Sequence, residues 1–553
     1  MIIAKIKKIN KIGIDLDNTI ISYDSAFKVA AIRGKLIKND EIENVDLSKR
    51  DIKNIIQSTD DGEIKWQKLQ GFVYGKGINK AKLFPGVYRF LWRCSINDVI
   101  VEVVSHKTIY GHFDKDKINL REAANQFLKV KGVFGEGNSF IRKITYKSKK
   151  SEKIDYIKNS NFCYFIDDLD DIVFSNKLKD QSVLLFSPNT GEYPKNKHNY
   201  IGLWPEISKI IFGRWDANEV ASLVKSIDEK IKIKTIKKIV GRGNSEIYKI
   251  KSDNSKDVVL KIYPQNKGHN RLMSEYFGLK NLREVGVDNI QQSVNLNKKL
   301  GVATYKYIDG QSVEKYSLDD IQQVLDLISK VHSKRNEKIF SNFQFASDAC
   351  LSGKDIENQI YYRLNELSLI SSKYAGLNDF LKNIFIPRAK EIIDWSKSSQ
   401  HGILWHSVKI TRKGQTLSPS DLGLHNAIRL ENGKLIFHDF EYFGWDDPVK
   451  LIADFSHHAA MHLTEDMEYF WFNGVSKIYG KHVLEKLKFA WPLYGLNWCL
   501  IILNEFKSSS WQRRCAADEG KVNQRTQQLA IQLAKAEQKI YYISKVYKDK
   551  KYW

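Results

Sequence analysis

Asp15 and Asp17 stand one residue apart at the end of the apolar run Ile12-Gly13-Ile14, and Asn18-Thr19 follow. An apolar run of this length, closed by polar residues, reads as a buried parallel strand ending in a loop. Side chains two apart on a strand share a face, so two carboxylates there repel unless a cation sits between them. Hard carboxylate oxygens suit Mg2+. Asp-x-Asp alone also fits an N-terminal strand followed by a capped helix. Two further strand ends turn the reading toward chemistry: the acidic pair after Ile166, Asp167-Asp168, and the hydroxyl after Val104, Ser105.

A second constellation lies far downstream. Ser418-Pro419-Ser420-Asp421-Leu422-Gly423-Leu424-His425-Asn426 precedes Leu435-Ile436-Phe437-His438-Asp439. An Asp, an Asn five residues on, and an Asp at the end of a hairpin form the carboxylate, amide and carboxylate set of Mg2+-dependent phosphoryl transfer. A short loop there presents Asp421 to an acceptor and Asn426 to metal. Upstream, Lys261 is the one inward lysine of the alternating run from Val258 to Tyr263, and Glu275 follows on an expected helix, where it could pair with Lys261. The strand, turn, strand around Gly241 and Gly243 lets backbone N–H groups close over phosphates, although a tight hairpin would use these glycines as readily. Asp446 and Asp454 read as turn and helix-cap residues. His457, His458 and His462 read as one helix face, with no carboxylate partner at metal spacing.

The elements that must position these residues change character along the chain. Residues 87–92, 98–104, 119–130 and 162–166 alternate between helical and strand patterns, which predicts a parallel sheet with right-handed crossovers and ligands at the strand ends. The stretch from about 23 to 83 is a charged helical insertion in which Trp66, Phe72 and Tyr74 either line a pocket or form its own core. Residues 216–234 read as a charged helical linker. Residues 317–405 are helical in pattern, and 525–547 form an amphipathic helix with Leu529, Ile531, Leu533, Ala534 and Ile540 available for packing.

At 553 residues, several units of domain size are expected. The N-terminus lacks the apolar core of a secretory signal. The apolar stretch from Trp491 to Leu503 contains Pro492 and Asn497 and is too short to span a bilayer, so it reads as a buried helix. Five scattered cysteines with no Cys-x-x-Cys pair indicate neither zinc nor a disulfide framework, and a reduced, cytoplasmic protein is expected. The formal net charge of +23 admits a nucleic-acid surface. Lysine is nevertheless spread among Ile and Asn, and is dense only at 147–153 and 548–551, which suits phosphorylated small substrates as well.

On these motifs, residues 8 to 215 resemble the haloacid dehalogenase-like phosphatase superfamily. The resemblance implies that Asp15 attacks phosphorus to form an aspartyl-phosphate, that Asp17 protonates the leaving oxygen and then activates water, and that Ser105 and Lys150 hold phosphoryl oxygens. Lys150 is preferred over Lys153 because Ser151 suits a helix N-cap. Asp15, Asp17, Asp167 and Asp168 are the implied Mg2+ residues, and the insertion is the implied substrate-choosing cap. Residues 235 to 500 resemble the aminoglycoside phosphotransferase and choline kinase-like family. There the implied roles are Lys261 on the nucleotide phosphates, Glu275 orienting it, Asp421 as base, Asn426 and Asp439 on Mg2+, and backbone groups at Tyr305 and Tyr307 on adenine. Pro419-Ser420 replace the usual His-Gly before the base, which alters its local brace.

The expected fold is α/β: a Rossmann-like parallel sheet with a small helical cap (1–215), a linker (216–234), then a two-lobed protein-kinase-like α+β domain with C-terminal helices (235–553). The expected function is bifunctional: Mg2+-dependent hydrolysis of a phosphomonoester, and ATP-dependent phosphorylation of a small-molecule hydroxyl, such as a sugar or polyol of surface-glycan synthesis. One rival is nucleic-acid end processing, against which stands the missing GxxxxGK[ST] loop. Another is a chain with one catalytic half and one regulatory or binding half.

Overall fold

The computed structural model describes residues 9–37, 47–114, 116–137, 139–187, 201–239, 245–265, 268–508, 510–511 and 524–548. Gly241 and Gly243 lie outside the described residues. The chain divides into two compact units, Met1–Leu223 with Gln265–Lys267, and Val224–Pro264 with Gly268–Trp553. Over the expected linker it forms a helix, Ala217–Ile227, and then enters a strand at Ile233.

The first unit is built on eight short strands: β1 (Lys11–Ile14), β2 (Ile21–Ser22), β3 (Lys82–Leu83), β4 (Ile100–His106), β5 (Ile141–Lys147), β6 (Tyr164–Asp167), β7 (Val183–Phe186) and β8 (Ile201–Gly202). Six of them form one sheet in the order β5-β4-β1-β6-β7-β8. Every pairing in it is parallel. Alternation supplies both faces: Val103 and Ile166 join one apolar core, Val104 and Phe165 the other. β1 is central, flanked by β4 and β6. Gly13 lets it lie there, because a Cβ at that position would meet Phe165 Cδ2 at 2.4 Å. The chain runs outward from β1 through β4 to β5 and then returns to its other side as β6, so the order reverses beside β1. A crevice for ligands opens outside the carboxyl ends of the strands at such a point.

The insertion between β2 and β3 holds helices Asp24–Arg33, Lys49–Gln57 and Gly62–Tyr74. Its base is closed by the antiparallel pairing of β2 with β3. Trp66 is buried and stacks on Phe27 at 4.8 Å, so it belongs to the insertion's own core.

Behind the sheet, Arg93 on helix Val87–Ile96 is buried and donates two hydrogen bonds of 2.7 Å to Glu219. Its remaining N–H groups reach the carbonyls of Gly213 and Arg214. Removing one partner of a buried ion pair strands the other charge. Arg93→Ala is therefore expected to destabilise the first unit by about 3–5 kcal/mol, read as an earlier transition in urea unfolding.

The second unit opens with a five-stranded antiparallel sheet of β9 (Ile233–Ile239), β10 (Glu246–Ser252), β11 (Val258–Ile262), β12 (Ser293–Asn297) and β13 (Val302–Lys306), in the order β12-β13-β11-β10-β9. Helix Arg271–Glu284 joins β11 to β12. A mainly helical lobe follows, with short strands β14 (Gln311–Ser312), β15 (Thr416–Ser418), β16 (Ala427–Arg429), β17 (Leu435–Phe437) and β18 (Gly444–Asp446). The fold class is thus α/β, a parallel sheet with a small helical insertion followed by a two-lobed α+β unit. The apolar stretch ending near Leu503 lies in helix His482–Ile502, whose residues from Ala490 to Asn497 are all buried. Helix Arg525–Val546 buries Leu529, Ala536, Ile540 and Ile543, whereas Ile531 is exposed. Among the described residues no helix is long and apolar enough to cross a membrane.

Candidate active sites

In the first unit the loops after β1, β4 and β6 converge. Asp15 N donates to Ile166 O at 2.8 Å, which ties the β1 loop to β6. Trp204 Nε1 donates to Thr19 O at 3.0 Å, and Thr19 Oγ1 donates to Asp168 at 3.2 Å. Asn18 makes the intervening turn at φ 61°, a conformation that Asn tolerates.

The lysine of this site is Lys153. Helix Lys150–Asn159 begins two residues before the expected start, with Lys149 rather than Ser151 at its N-cap position. Lys153 and Ile157 form the buried face, one turn apart. Lys153 is wholly buried and donates to Asp15 Oδ1 and, at 2.7 Å, to Asp167 Oδ2. Lys150 points outward and pairs with Asp171, which corrects the expectation that it serves the site.

Asp17 is also placed differently. Its carboxylate accepts from Lys107 Nζ at 2.8 and 2.9 Å and from Tyr23 OH at 2.6 Å. Burial alone would raise its pKa, but Lys107, the Tyr23 hydroxyl and Lys49 together outweigh burial and hold the carboxyl below its usual range. Asp17 therefore pairs with Lys107 instead of joining the metal-binding group that the sequence suggests. That group is Asp15, Asp167 and Asp168, whose carboxylate oxygens lie within 4.8 Å of one another. Three carboxylates face one lysine. Burial raises Asp15 well above the ordinary carboxylate range, and burial together with Asp167 pushes Asp168 up to about 7. An all-oxygen donor set with excess negative charge fits a small hard cation such as Mg2+. Ser105 is buried near the end of β4, and with Asp15, Asp17 and Asp168 it lines a cavity of about 430 Å³. Lys49 and Tyr74 of the insertion line the same cavity, while Phe72 is exposed.

A pH-dependent response to metal follows. A carboxyl whose folded pKa is raised contributes stability below its unfolded pKa, near 4, and loses it as the pH rises through its folded value. For Asp168 that window ends near 7. The cation binds the ionised form and competes with the proton. Mg2+ is expected to raise the thermal midpoint of metal-stripped protein more at pH 8 than at pH 5. Equal shifts by scanning calorimetry at the two pH values would contradict this.

In the second unit Lys261 is the hub. Its Nζ donates to Glu275 Oε2 and to Asp439 Oδ1, both at 2.6 Å, and lies 3.3 Å from Glu441 Oε2. The ammonium thus joins β11, the helix Arg271–Glu284 and the segment after β17. Tyr263 OH donates to Glu275 Oε2 at 2.6 Å and lies 2.6 Å from Tyr305 OH. Burial pushes the Glu275 carboxyl up to about 7 despite Lys261. Glu441 also accepts from Arg271 at 2.7 Å and from Ser245 Oγ at 3.1 Å. The acidic oxygens of Glu275, Asp439 and Glu441 lie within 4.8 Å of one another. Asp439 adopts φ 65°, which turns its carboxylate back toward Lys261.

Asp421 lies on the loop after β15. Asn426 Nδ2 donates to Asp421 O at 2.9 Å and approaches its Oδ2 at 3.4 Å. His438 N donates to Asn426 O at 2.9 Å, which links this loop to the segment carrying Asp439. Asn426 and Asp439 flank the Ala427–Phe437 pairing of β16 with β17, and an amide oxygen with a carboxylate oxygen not bonded to Lys261 has the donor chemistry of a hard-cation site. His458 Nε2 lies 3.0 Å and His425 Nε2 3.7 Å from Asp421 Oδ1, and the two imidazoles stack at 4.1 Å. Burial would raise Asp421, but the hydrogen bonds from His425 and His458 outweigh it and keep the carboxyl well below its usual range. The two rings hold the Asp421 carboxylate in place.

Of the backbone groups expected to meet adenine at Tyr305 and Tyr307, the Tyr307 N–H is already used. Tyr305 lies within β13 between β11 and β12, with its ring buried. Tyr307 N already donates to Asp257 O at 3.1 Å, and Lys249 Nζ sits 3.5 Å above its ring.

No family model matches the chain, and no curated protein matches it. Solved structures do. Spectinomycin phosphotransferase, in complex with ADP and spectinomycin, is 12% identical over 60% of this chain and 98% of its own, with a TM-score of 0.43. Choline kinase from Streptococcus pneumoniae is 15% identical over 58% of this chain and 99% of its own, with a TM-score of 0.37. Ethanolamine kinase from Plasmodium vivax is 14% identical over 61% of this chain and 89% of its own, with a TM-score of 0.34. Similarities at this level name no substrate for this chain.

Several residues of the two sites carry no strong signal in the sequence. Lys107 and Glu441 each lie two positions beyond a selected residue, Ser105 and Asp439, and strand alternation is the pattern that could draw them in. His458 reads as one face with His457 and His462, but the three diverge. His457 Nε2 faces Trp491 O at 2.8 Å, the His462 backbone N donates to Tyr316 OH, and only His458 of the three faces Asp421.

Proposed function

We propose that the second unit transfers the γ-phosphoryl group of ATP to the hydroxyl of a small molecule, and that the first unit hydrolyses a phosphomonoester. The observation that carries the first reading is the Lys261 hub beside an Asp421, Asn426 and Asp439 set. The arrangement supports Lys261 on nucleotide phosphates, oriented by Glu275, with Asp421 accepting the proton of the attacking hydroxyl. Asn426 and Asp439 would hold Mg2+, which supplies charge neutralisation at the phosphates. Asp421 is anionic and faces two imidazoles, which suits a base whose proton must later leave.

The phosphatase reading rests on Lys153 between Asp15 and Asp167 at the floor of a cavity. Asp15, Asp167 and Asp168 would hold Mg2+, which lowers the charge barrier to an anionic nucleophile. An Asp15 oxygen attacks phosphorus as the ester oxygen leaves with a proton from the Asp17–Lys107 pair. Water then attacks the aspartyl-phosphate and gives its proton back to that pair, releasing phosphate and restoring Asp15. Lys153 and Ser105 hold the phosphoryl oxygens.

A kinase and a phosphatase acting on one position of one substrate would only consume ATP. Different positions or successive intermediates, as in a sugar or polyol pathway of glycan synthesis, avoid this. The test uses Asp15→Asn protein, so that hydrolysis cannot erase the kinase product. It receives γ-labelled ATP, Mg2+ and fractionated cell extract, with the Asp15→Asn/Asp421→Asn double variant as control. Label in small polar metabolites, present only with Asp421 intact, supports the reading. Label in nucleic acid or protein defeats it.

A further inference from the structure

The cavity above Asp15 is larger than a phosphoryl group needs, and its walls differ in charge. The floor carries Asp15, Asp17, Asp168 and Ser105, while the insertion contributes Lys49, Gln67, Gln70 and Tyr74. Lys107, the floor's own cation in this cavity, is neutralised by its two hydrogen bonds to Asp17. Lys49 is different. Its Nζ donates to Tyr74 OH at 2.7 Å, and among the described residues no carboxylate lies within ion-pair distance of it. Its backbone is fixed, since Lys49 N donates to Asp24 Oδ1 at 2.9 Å at the start of a helix capped by Ser48. Lys107 Nζ lies 4.2 Å from the Tyr74 ring centre, so the phenol separates the two ammonium groups and its hydroxyl serves Lys49. An ammonium has three donors and Lys49 uses one. Among the described residues Asp17 and Asp168 act on this half-buried cation only from beyond ion-pair distance, and its remaining N–H groups are left for an anion of the ligand.

We infer that Lys49 binds a second anionic group of the phosphomonoester, so that this unit selects substrates bearing a carboxylate or a second phosphate at the end remote from the scissile phosphoryl group. The inference rests on the phosphatase reading of the same cavity. Gln70 and the amide oxygen of Gln67, whose Nε2 already donates to Glu63, suit the hydroxyls of the carbon chain between the two anions.

The test compares glucose 6-phosphate, 6-phosphogluconate and fructose 1,6-bisphosphate with the full chain and Mg2+. The native protein is expected to favour an anion-bearing compound over glucose 6-phosphate by about ten- to a hundredfold in kcat/KM. Whichever of the two it favours separates carboxylate from phosphate. Lys49→Met brings that ratio to near one, and Lys49→Arg restores it, with thermal midpoints confirming that both variants fold. A native ratio near one, or a ratio that Lys49→Met leaves intact, overturns the inference. If none of the three is hydrolysed in an Asp15-dependent way, the phosphatase reading fails, and calorimetric binding of the same compounds to Asp15→Asn protein decides the subsite. A preference for the anion-bearing compounds that Lys49→Met abolishes sustains it, and equal affinities refute it.

Discussion

Asp421→Asn is expected to lower ATP-dependent phosphorylation by about 10²–10⁴-fold in kcat, with little change in the KM for ATP. The amide keeps the shape of the side chain and its contact with Asn426, but it cannot take a proton from the acceptor. His458→Ala separates charge from position. His458 lies 3.0 Å from Asp421 Oδ1 and packs at 4.6 Å against Trp498, whose Nε1 donates to Asp454. Without the imidazole, burial is opposed by fewer hydrogen bonds and the Asp421 pKa rises. Native Asp421 sets no acid limb between pH 5 and 9, so a limb that enters this range in His458→Ala reports the raised pKa, whereas a purely structural role would lower activity at every pH alike. Stopped-time assays with labelled ATP between pH 5 and 9 read this directly.

How far the sequence discloses these sites follows from where the information lies. The strand ends are legible because each is local: an apolar run fixes the strand, and the polar residue closing it fixes the ligand end. The sequence alone therefore selects Asp15, Asp167 and Asp168 together, although Asp167 lies 152 positions after Asp15 in the chain. Lys261 and Glu275 are legible for the same reason, as one lysine in an alternating strand and one acid on the next helix. The lysine of the first site is not. Four lysines lie between 147 and 153, and the choice among them depends on where the helix begins. A shift of two residues in that start turns Lys153 inward and Lys150 outward, because the helical face repeats every 3.6 residues. His458 is obscured for another reason. Its partner Asp421 lies 37 positions earlier, and no local pattern distinguishes a histidine that meets a distant carboxylate from one, like His457, that bonds a helix carbonyl. At Tyr305 and Tyr307 the sequence shows a strand running into a loop but not that this strand lies between two neighbours or that the Tyr307 N–H bonds Asp257 O.

Asp15→Asn should abolish phosphomonoester hydrolysis, by about 10⁴-fold or more in kcat, because an amide oxygen is no nucleophile for phosphorus and the aspartyl-phosphate cannot form. The same change should leave the unit folded and at least as stable at pH 7. The native cluster sets three carboxylates against Lys153, and burial makes ionisation of Asp15 costly. Asn removes one negative charge while Asp167 still pairs with Lys153 at 2.7 Å. Lys153→Met acts in the opposite direction. It also removes activity, but it leaves Asp15 and Asp167 buried and facing each other without a cation, which costs about 3–5 kcal/mol. Lys150→Met, at the exposed start of the same helix, should change neither hydrolysis nor the thermal midpoint by much, since an exposed pair with Asp171 contributes at most about 1 kcal/mol. The three variants therefore separate the roles by two readouts. Asp15→Asn loses activity and keeps stability, Lys153→Met loses both, and Lys150→Met loses neither. A Lys150→Met protein that is inactive but stable would return the phosphoryl-holding role to the surface lysine and leave Lys153 as a structural ion pair.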